Sequence, residues 1–160
     1  MAKFCLEIED PLNNYASLTL NEIKYLKIIF NYYENNKTLN LTSLSRIIGI
    51  KPSSAVDTIN NLINKNLLVK EKRKLKLTNK GVTLCKFITM KRRLLELFFF
   101  YVLDLDPKTA KKEAEKIDFL VSCETIEKIV EKLLKRKINI ERCLHDKKTY
   151  VKEFITLPPK

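Results

Sequence analysis

The order of apolar and polar residues between Leu39 and Leu77 predicts two short helices followed by a hairpin. The apolar face of the first helix consists of Leu41, Leu44, Ile47 and Ile48. Gly49 should end this helix, because glycine tolerates left-handed backbone at a helix C-terminus, and Ile50 should fill the turn. Pro52 should open the second helix, where its missing N–H costs nothing. The predicted inner face of the second helix is Val56, Ile59, Leu62 and Ile63.

The outer face of the second helix carries short polar side chains, with a single acid among them. Its members are Ser53, Ser54, Asp57, Thr58, Asn60, Asn61 and Asn64. An ordinary solvated face is rich in Glu and Lys, which favour helix and pair along it. Short hydroxyl and amide groups instead let a helix approach DNA and hydrogen-bond phosphates and base edges. The residues expected to face the major groove are Lys51, Ser53, Ser54, Asp57, Thr58 and Asn61. A small helical domain with a polar surface is the alternative.

Two short apolar segments behind this helix predict a basic hairpin. Leu67–Val69 and Leu75–Leu77 flank the sequence Lys-Glu-Lys-Arg-Lys. A helix-turn-helix followed by such a hairpin is a winged helix-turn-helix. The basic residues expected to bind phosphates or a neighbouring minor groove are Lys70, Lys72, Arg73 and Lys74.

Further helices are predicted on both sides of this motif. A helix capped by Thr19 or Asn21 should run to about Glu34, with a buried stripe of Ile23, Leu26, Ile29, Phe30 and Tyr33. Thr78 should cap a long helix over about 79–103. Asp106-Pro107 should start a further helix that runs to about Phe119, and Ser122 should cap the last helix. The apolar stripe of the last helix is Ile126, Ile129, Val130, Leu133 and Leu134.

The apolar run Leu94–Leu103 would wrap around its helix and needs cover on more than one side. With the stripe 126–134, it predicts a second layer or a partner chain, and we expect a homodimer. The fold class is mainly α, a winged helix-turn-helix followed by a helical dimerisation domain. The expected divisions are an arm (1–17), the DNA-binding domain (18–88) and the dimerisation domain with its tail (89–160). Tyr150–Ile155 could form a strand.

The charge favours a polyanionic partner, which we take to be double-stranded DNA. The 31 basic and 19 acidic residues give a net charge of +12. The segment from Lys65 to Arg93 contains eleven basic residues and a single acid, Glu71. The sequence has no membrane-length apolar run and no signal peptide, so we expect a cytoplasmic protein without a membrane partner.

The residues that could act as nucleophiles, bases or metal ligands do not form a pattern that predicts an enzyme. Cys5, Cys85, Cys123 and Cys143 are widely separated, and the pair Cys143 and His145 is a weak metal signal. No nucleophile–base pair or phosphate-binding loop is evident.

Four stretches carry a resemblance to a known family. They are Gly49–Val56, Leu77–Gly81, Arg92–Phe98, and Glu113–Phe119 followed by Ser122. The first two occur in many winged-helix proteins, but in combination with the others they resemble the DtxR/MntR family of metal-dependent transcriptional repressors. The match runs from about Leu20 to Arg136 and implies the two-domain, MntR-like type, binding DNA as a homodimer.

The resemblance also implies where a regulatory metal would bind. The family's ligand positions, with a second site that some members use, fall on Lys24, Lys27, Arg92, Glu96, Lys111, Glu115, Asp118 and Phe119. Lys and Arg are positively charged donors that cannot coordinate a cation, and Phe119 has no ligand atom. We therefore expect the fold to be kept, the sensor to be lost, and no metal or other cofactor to be needed.

Several alternatives stay open at this point. The cations at the family's metal positions could replace the metal structurally, or they could be ordinary solvated charges, with Lys111 and Glu115 forming an i,i+4 pair. The protein could be a sequence-specific regulator, a sequence-tolerant architectural DNA-binding protein, or a metal-responsive repressor with an atypical site. A winged fold that binds another protein, and a small-molecule effector in place of the metal, are also possible.

Overall fold

A computed structural model of the chain describes residues 3–4, 15–140 and 155–156. The mainly helical fold class is confirmed. The helices are α1 (Leu20–Glu34), α2 (Leu41–Ile48), α3 (Pro52–Asn64), α4 (Asn79–Tyr101), α5 (Pro107–Ile117) and α6 (Cys123–Lys135). The strands are β1 (Lys3–Phe4), β2 (Leu39–Asn40), β3 (Leu68–Glu71), β4 (Lys74–Leu77) and β5 (Ile155–Thr156). The chain divides into two compact units between Cys85 and Lys86, within α4. The first unit ends at Cys85, and the second begins at Lys86 and also includes β1.

Helix α1 begins at the capping box that its sequence permits. The Thr19 hydroxyl accepts a hydrogen bond from the N–H of Glu22, and the Glu22 carboxylate accepts one from the N–H of Thr19 at 2.7 Å. The buried stripe is confirmed at Ile23, Leu26, Ile29 and Phe30. Tyr33 was wrongly assigned to that stripe: in the last turn it is half exposed and stacks on Phe30.

The helix-turn-helix forms where the sequence predicted it. Gly49 ends α2 with a φ of +83°, and Pro52 is the first residue of α3. Ile50 does not fill the turn, since its side chain is 36 % exposed. Val56 was also misplaced and is 37 % exposed. The inner face is built on Ala55, Ile59 and Leu62, because positions i, i+4 and i+7 lie along one side of a helix.

The wing is the hairpin of β3 and β4, extended by β2 into a three-stranded sheet of order β2-β4-β3. Leu39 of β2 lies opposite Leu75 of β4, and both side chains are buried. The sequence did not reveal β2, because two residues are too few to show a strand period.

Thr78 and Gly81 join the wing to α4. The Thr78 hydroxyl donates to the carbonyl of Asn66 at 2.7 Å and accepts from the N–H of Gly81 at 2.9 Å, which confirms the predicted cap. A Cβ on Gly81 would lie 2.1 Å from the carbonyl oxygen of Leu67. Only glycine therefore lets the start of α4 pass this close to the wing.

The second unit holds the rest of α4, then α5, α6 and the antiparallel pair β1–β5. Asp106 caps α5 and Ser122 caps α6, as predicted, although α4 ends at Tyr101 and α5 at Ile117, two residues earlier than expected. The α6 stripe needs no partner chain to cover it. Its residues Ile126, Ile129, Val130 and Leu133 are buried within this chain, and only Leu134 is half exposed.

Strand β1 lies against α6, within the predicted N-terminal arm. The rest of that arm up to residue 14, the Cys143–His145 pair and most of the tail lie outside the described residues. Within the described part of the chain, no helix has the length and apolar character needed to cross a membrane.

Candidate nucleic-acid interface

The outer face of α3 is uncharged except for Asp57. Lys51, Ser53, Ser54, Asp57 and Asn61 are exposed, and Thr58 is half-buried at the edge of the face. Two further exposed amides belong to this surface, Asn60 and Asn64, although they were not among the residues expected to reach bases.

Val56 lies on the same exposed side, between Ser53 and Asn60 in the 3-and-4 spacing of neighbours on a helix surface. It is an apolar side chain that could contact a thymine methyl group. The exposure of Val56 follows from the buried face formed by Ala55, Ile59 and Leu62, which places Val56 on the other side of the helix. The sequence did not reveal that face, because alanine is a weak marker of burial.

The start of α3 is open to an anion. Its N-cap residue, Lys51, makes no side-chain cap hydrogen bond. Pro52 has no N–H, and the Ser54 N–H donates to the Lys51 carbonyl at 3.0 Å, so the Ser53 N–H is the first-turn group that suits a phosphate oxygen. The exposed Lys51 lies next to it and adds positive charge for the DNA backbone.

The four basic wing residues differ in their surroundings. Glu71 accepts a short hydrogen bond from Lys76, at 2.5 Å, and lies opposite Lys74 in the strand register. Lys70 lies opposite Leu75. Lys72 and Arg73 form the tip between the strands, both exposed and both with positive φ, +45° and +68°.

An ion pair ties α1 to the end of α3. Lys65, the C-cap residue of α3, donates to both Glu22 carboxylate oxygens at 2.8 and 2.9 Å and to the carbonyl of Ser17 at 2.8 Å. Burial would raise the pKa of Glu22, but the hydrogen bonds from Lys65 and Thr19 outweigh it and lower that pKa below its ordinary value. The ionised carboxylate therefore fixes α3 to α1.

In the second unit, the family's ligand positions are occupied by groups that do not suit a metal. Two guanidinium groups lie beside the Glu96 carboxylate: the Arg93 side chain donates a hydrogen bond to it, and the Arg92 Nε, 3.7 Å away, forms an ion pair without a hydrogen bond. Lys111 and Glu115 are exposed and do not form the i,i+4 pair considered above, whereas Glu113 pairs with Lys116 at 2.8 Å. Asp118 is buried and Phe119 half-buried. Lys24 and Lys27 belong to the first unit.

This donor set does not fit a divalent cation. Among the described residues, no three His, Cys, Asp or Glu side chains come together in a way that could hold a metal ion. The one deeply buried acid on α4, Glu96, is already neutralised by two arginines. Fixed positive charges beside a carboxylate repel a cation.

Lys91 is a buried cation that the sequence reasoning did not single out. Its side chain is 1 % exposed, its ammonium donates to the carbonyl of Val121 at 2.7 Å, and it lies 6.0 Å from the centre of the Phe87 ring. It therefore fastens α4 to the segment that precedes α6. A buried lysine was detectable in the sequence only as a charge inside an apolar run.

Two known protein families match this chain, one over its N-terminal half and one over its C-terminal half. Residues 78–150 match the family described as iron dependent repressor, metal binding and dimerisation domain. Residues 17–86 match the winged helix domain at the C-terminus of RuvB.

Two kinds of relative are similar to this chain. An uncharacterized HTH-type transcriptional regulator of Methanocaldococcus jannaschii is 32 % identical over 107 residues, 66 % of this chain and 86 % of the relative. A hypothetical protein of Sulfolobus solfataricus shares the fold, with a TM-score of 0.64, 24 % identity, and coverage of 74 % of this chain and 91 % of that one.

Two further solved structures are similar over about half of their own length. The manganese regulator SloR is 26 % identical with a TM-score of 0.59, over 72 % of this chain and 54 % of its own. IdeR of T. acidophilum is 27 % identical with a TM-score of 0.58, over 73 % of this chain and 55 % of its own.

Proposed function

Because this chain belongs to the DtxR/MntR family of metal-dependent transcriptional repressors, we propose that it is a homodimeric, sequence-specific DNA-binding regulator that needs no divalent metal. It is a transcriptional regulator of that type and not an enzyme, and its family binds DNA and dimerises. The metal independence, the homodimer and the contacting residues are the proposed part.

The observation that carries the proposal is the surface formed by α3 and the wing in the first unit. The short side chains of Ser53, Asn60 and Asn61 allow close approach to base edges. Lys51 and the wing tip supply positive charge for phosphates. We assign major-groove contacts to the exposed α3 residues, with Thr58 at the edge, and backbone or minor-groove contacts to Lys70, Lys72, Arg73 and Lys74.

Metal independence is supported by the chemistry of the donor set. A bound cation near Glu96 would have to displace two guanidinium groups. Carboxylates without imidazole or thiolate would at best make a weak site for a hard ion. The arginines already neutralise the acid that a metal would otherwise neutralise.

A homodimer is supported by apolar surface on the second unit. Phe100, Leu103 and Leu120 are 38 %, 51 % and 72 % exposed, and the matching family is a dimerisation domain. A second copy, related by two-fold symmetry, would cover the same exposed residues on both chains.

The test is DNA affinity with and without metal. Bound sequences are first selected from a pool of random duplexes in two parallel selections, one with excess chelator and one with Mn²⁺, and the affinity of any enriched duplex is then measured at one salt concentration with chelator, Mn²⁺ or Fe²⁺. We expect the three affinities to agree within about twofold, a difference of less than 0.5 kcal/mol. A loss of about tenfold on chelation, restored by manganese or iron, would overturn metal independence.

The net charge of +12 also favours a second function, a sequence-tolerant architectural protein. The same selection separates the two. A specific regulator enriches a defined site and keeps it against excess non-specific duplex at fixed salt. An architectural protein enriches no sequence.

A further inference from the structure

The wing tip has a backbone that its own residues do not favour. Glu71 and Lys74 lie opposite each other in the strand register, so Lys72 and Arg73 are the whole loop. Positive φ at both positions makes this a type I′ turn, whose usual residues are Asn-Gly or Asp-Gly. Lys and Arg carry a Cβ and lack the short polar group that eases left-handed backbone.

The rest of the chain mostly follows the usual preference. Of the other non-glycine left-handed positions among the described residues, Asn36, Asn66 and Asp104 hold the residue types that tolerate this backbone best, and Lys137, with a φ of +58°, is the exception. The tip departs from the preference twice in succession. Strain of this kind persists in proteins mainly where it serves a function.

The tip also carries two charges that no acid in the described part of the chain compensates. Glu71 pairs with Lys76 and faces Lys74. The side chains of Lys72 and Arg73 take part in none of the hydrogen bonds or ion pairs found among residues 15–140. Two cations therefore project from a two-residue turn whose shape is fixed by the strands on either side.

We propose that Lys72 and Arg73 are a preformed probe for the DNA minor groove beside the major-groove site, and that Arg73 makes the protein prefer A·T-rich flanks. Runs of A·T pairs narrow the minor groove and deepen its negative potential, which attracts an inserted arginine. The type I′ turn aims both side chains without any rearrangement on binding, although it makes the hairpin less stable than an Asn-Gly tip would. This inference rests on the DNA-binding function proposed above.

The test replaces the tip by the sequence that its backbone prefers. The double variant Lys72→Asn, Arg73→Gly should raise the melting temperature while lowering affinity for the selected duplex with A·T flanks by roughly tenfold or more, the size of losing one good specific contact. Affinity is measured for one selected core flanked by A·T tracts or by G·C pairs, and the ratio of the two is the flank preference. The variant should bring that ratio close to one.

Two matched variants separate shape from charge. Lys74→Gln, Lys76→Gln also removes two charges from the hairpin but leaves the turn intact, so it should weaken binding to both duplexes and keep the flank preference. Arg73→Lys keeps the charge, yet it should lower the preference, because a lysine is more strongly hydrated than an arginine and enters a narrow groove less readily.

Three results would overturn the inference. One is a wild-type protein that binds the core equally well with either flank. Another is a flank preference that survives Lys72→Asn, Arg73→Gly, and the third is the absence of any gain in melting temperature in that variant. Failure of the proposed function looks different, since no core would then be enriched from the random pool.

Discussion

The junction between the wing and α4 has no space for a single additional carbon atom at Gly81. The start of that helix passes so close to the wing that Gly81 faces the carbonyl of Leu67, with no room for a methyl group. The family resemblance pointed to the segment Leu77–Gly81, but it gave no reason for the glycine. The reason is a close approach of two backbones, which no hydrophobic period can reveal.

Gly81→Ala should therefore destabilise the protein, by about 1–3 kcal/mol or more, since the added Cβ meets backbone that cannot move freely. The free energy of unfolding from denaturant titration measures this. Gly49→Asn is the matched control, because its position has open space and a left-handed φ that asparagine tolerates. An alanine at position 81 without effect would mean that α4 starts farther from the wing.

Errors at the level of residues had a common cause. The sequence placed Val56 inside α3 and Ile50 inside the turn because both are strongly apolar. Burial depends on helix phase as well as on hydrophobicity, and the small Ala55 held the position that fixes the phase. Patterns in short helices predict the existence of a buried face better than its exact members.

At the scale of elements, α1 and α3 are joined by a charged link as well as by apolar contacts. Glu22 completes the capping box of α1 and also accepts hydrogen bonds from Lys65 at the end of α3. The sequence offered Thr19 or Asn21 as the cap of α1, and Thr19 is the cap, but the partner of Glu22, 43 residues away, could not be found without the fold. Local signals carry caps and turns, whereas long-range ion pairs need the tertiary structure.

This link predicts how stability depends on pH. Since the folded pKa of Glu22 lies below its ordinary 4.5, its contribution should be complete above about pH 4.5 and be lost as pH falls through the lowered pKa. Glu22→Gln keeps the capping geometry but loses the charge, and should lower the free energy of unfolding by about 1–3 kcal/mol at neutral pH. Its stability should also change less than that of the wild type between pH 5 and 3.

Melting temperatures across that pH range provide the measurement. Glu113→Gln is the control, since Glu113 forms an exposed pair with Lys116 whose loss should change stability by no more than about 0.5 kcal/mol. Parallel pH profiles for the wild type and Glu22→Gln would show that Lys65 does not stabilise the ionised carboxylate.

At the scale of the whole molecule, the winged helix and the family were predicted from the sequence and are confirmed. The basis for expecting a dimer, however, was partly wrong. The α6 stripe that was expected to need a partner is buried within the chain. In the second unit, the large apolar side chains that stay exposed among the described residues are Phe100, Leu103 and Leu120, near the end of α4 and after α5. A period can identify an apolar face, but it cannot say which neighbour covers it.

If these residues form the dimer contact, Leu103→Glu combined with Leu120→Glu should convert a dimer to a monomer at micromolar concentration, because each chain would bury two unpaired carboxylates at the interface. Sedimentation velocity measures the change, and circular dichroism checks that the fold is kept. Leu20→Glu, at an exposed apolar residue of the first unit, should leave the oligomeric state unchanged. A wild-type protein that sediments as a monomer would disprove the dimer.

If the protein needs no metal, as proposed, the two arginines beside Glu96 constrain how metal sensing could be introduced. Replacing Arg92 by histidine would supply a ligand, but Arg93 would still occupy the carboxylate. Replacing Arg93 alone would remove one of the two arginines and add no ligand. Neither single substitution is therefore expected to create a metal site. An evolutionary experiment selecting for manganese-dependent repression should therefore recover double substitutions at these neighbouring codons, or new sites elsewhere, before it recovers either single one.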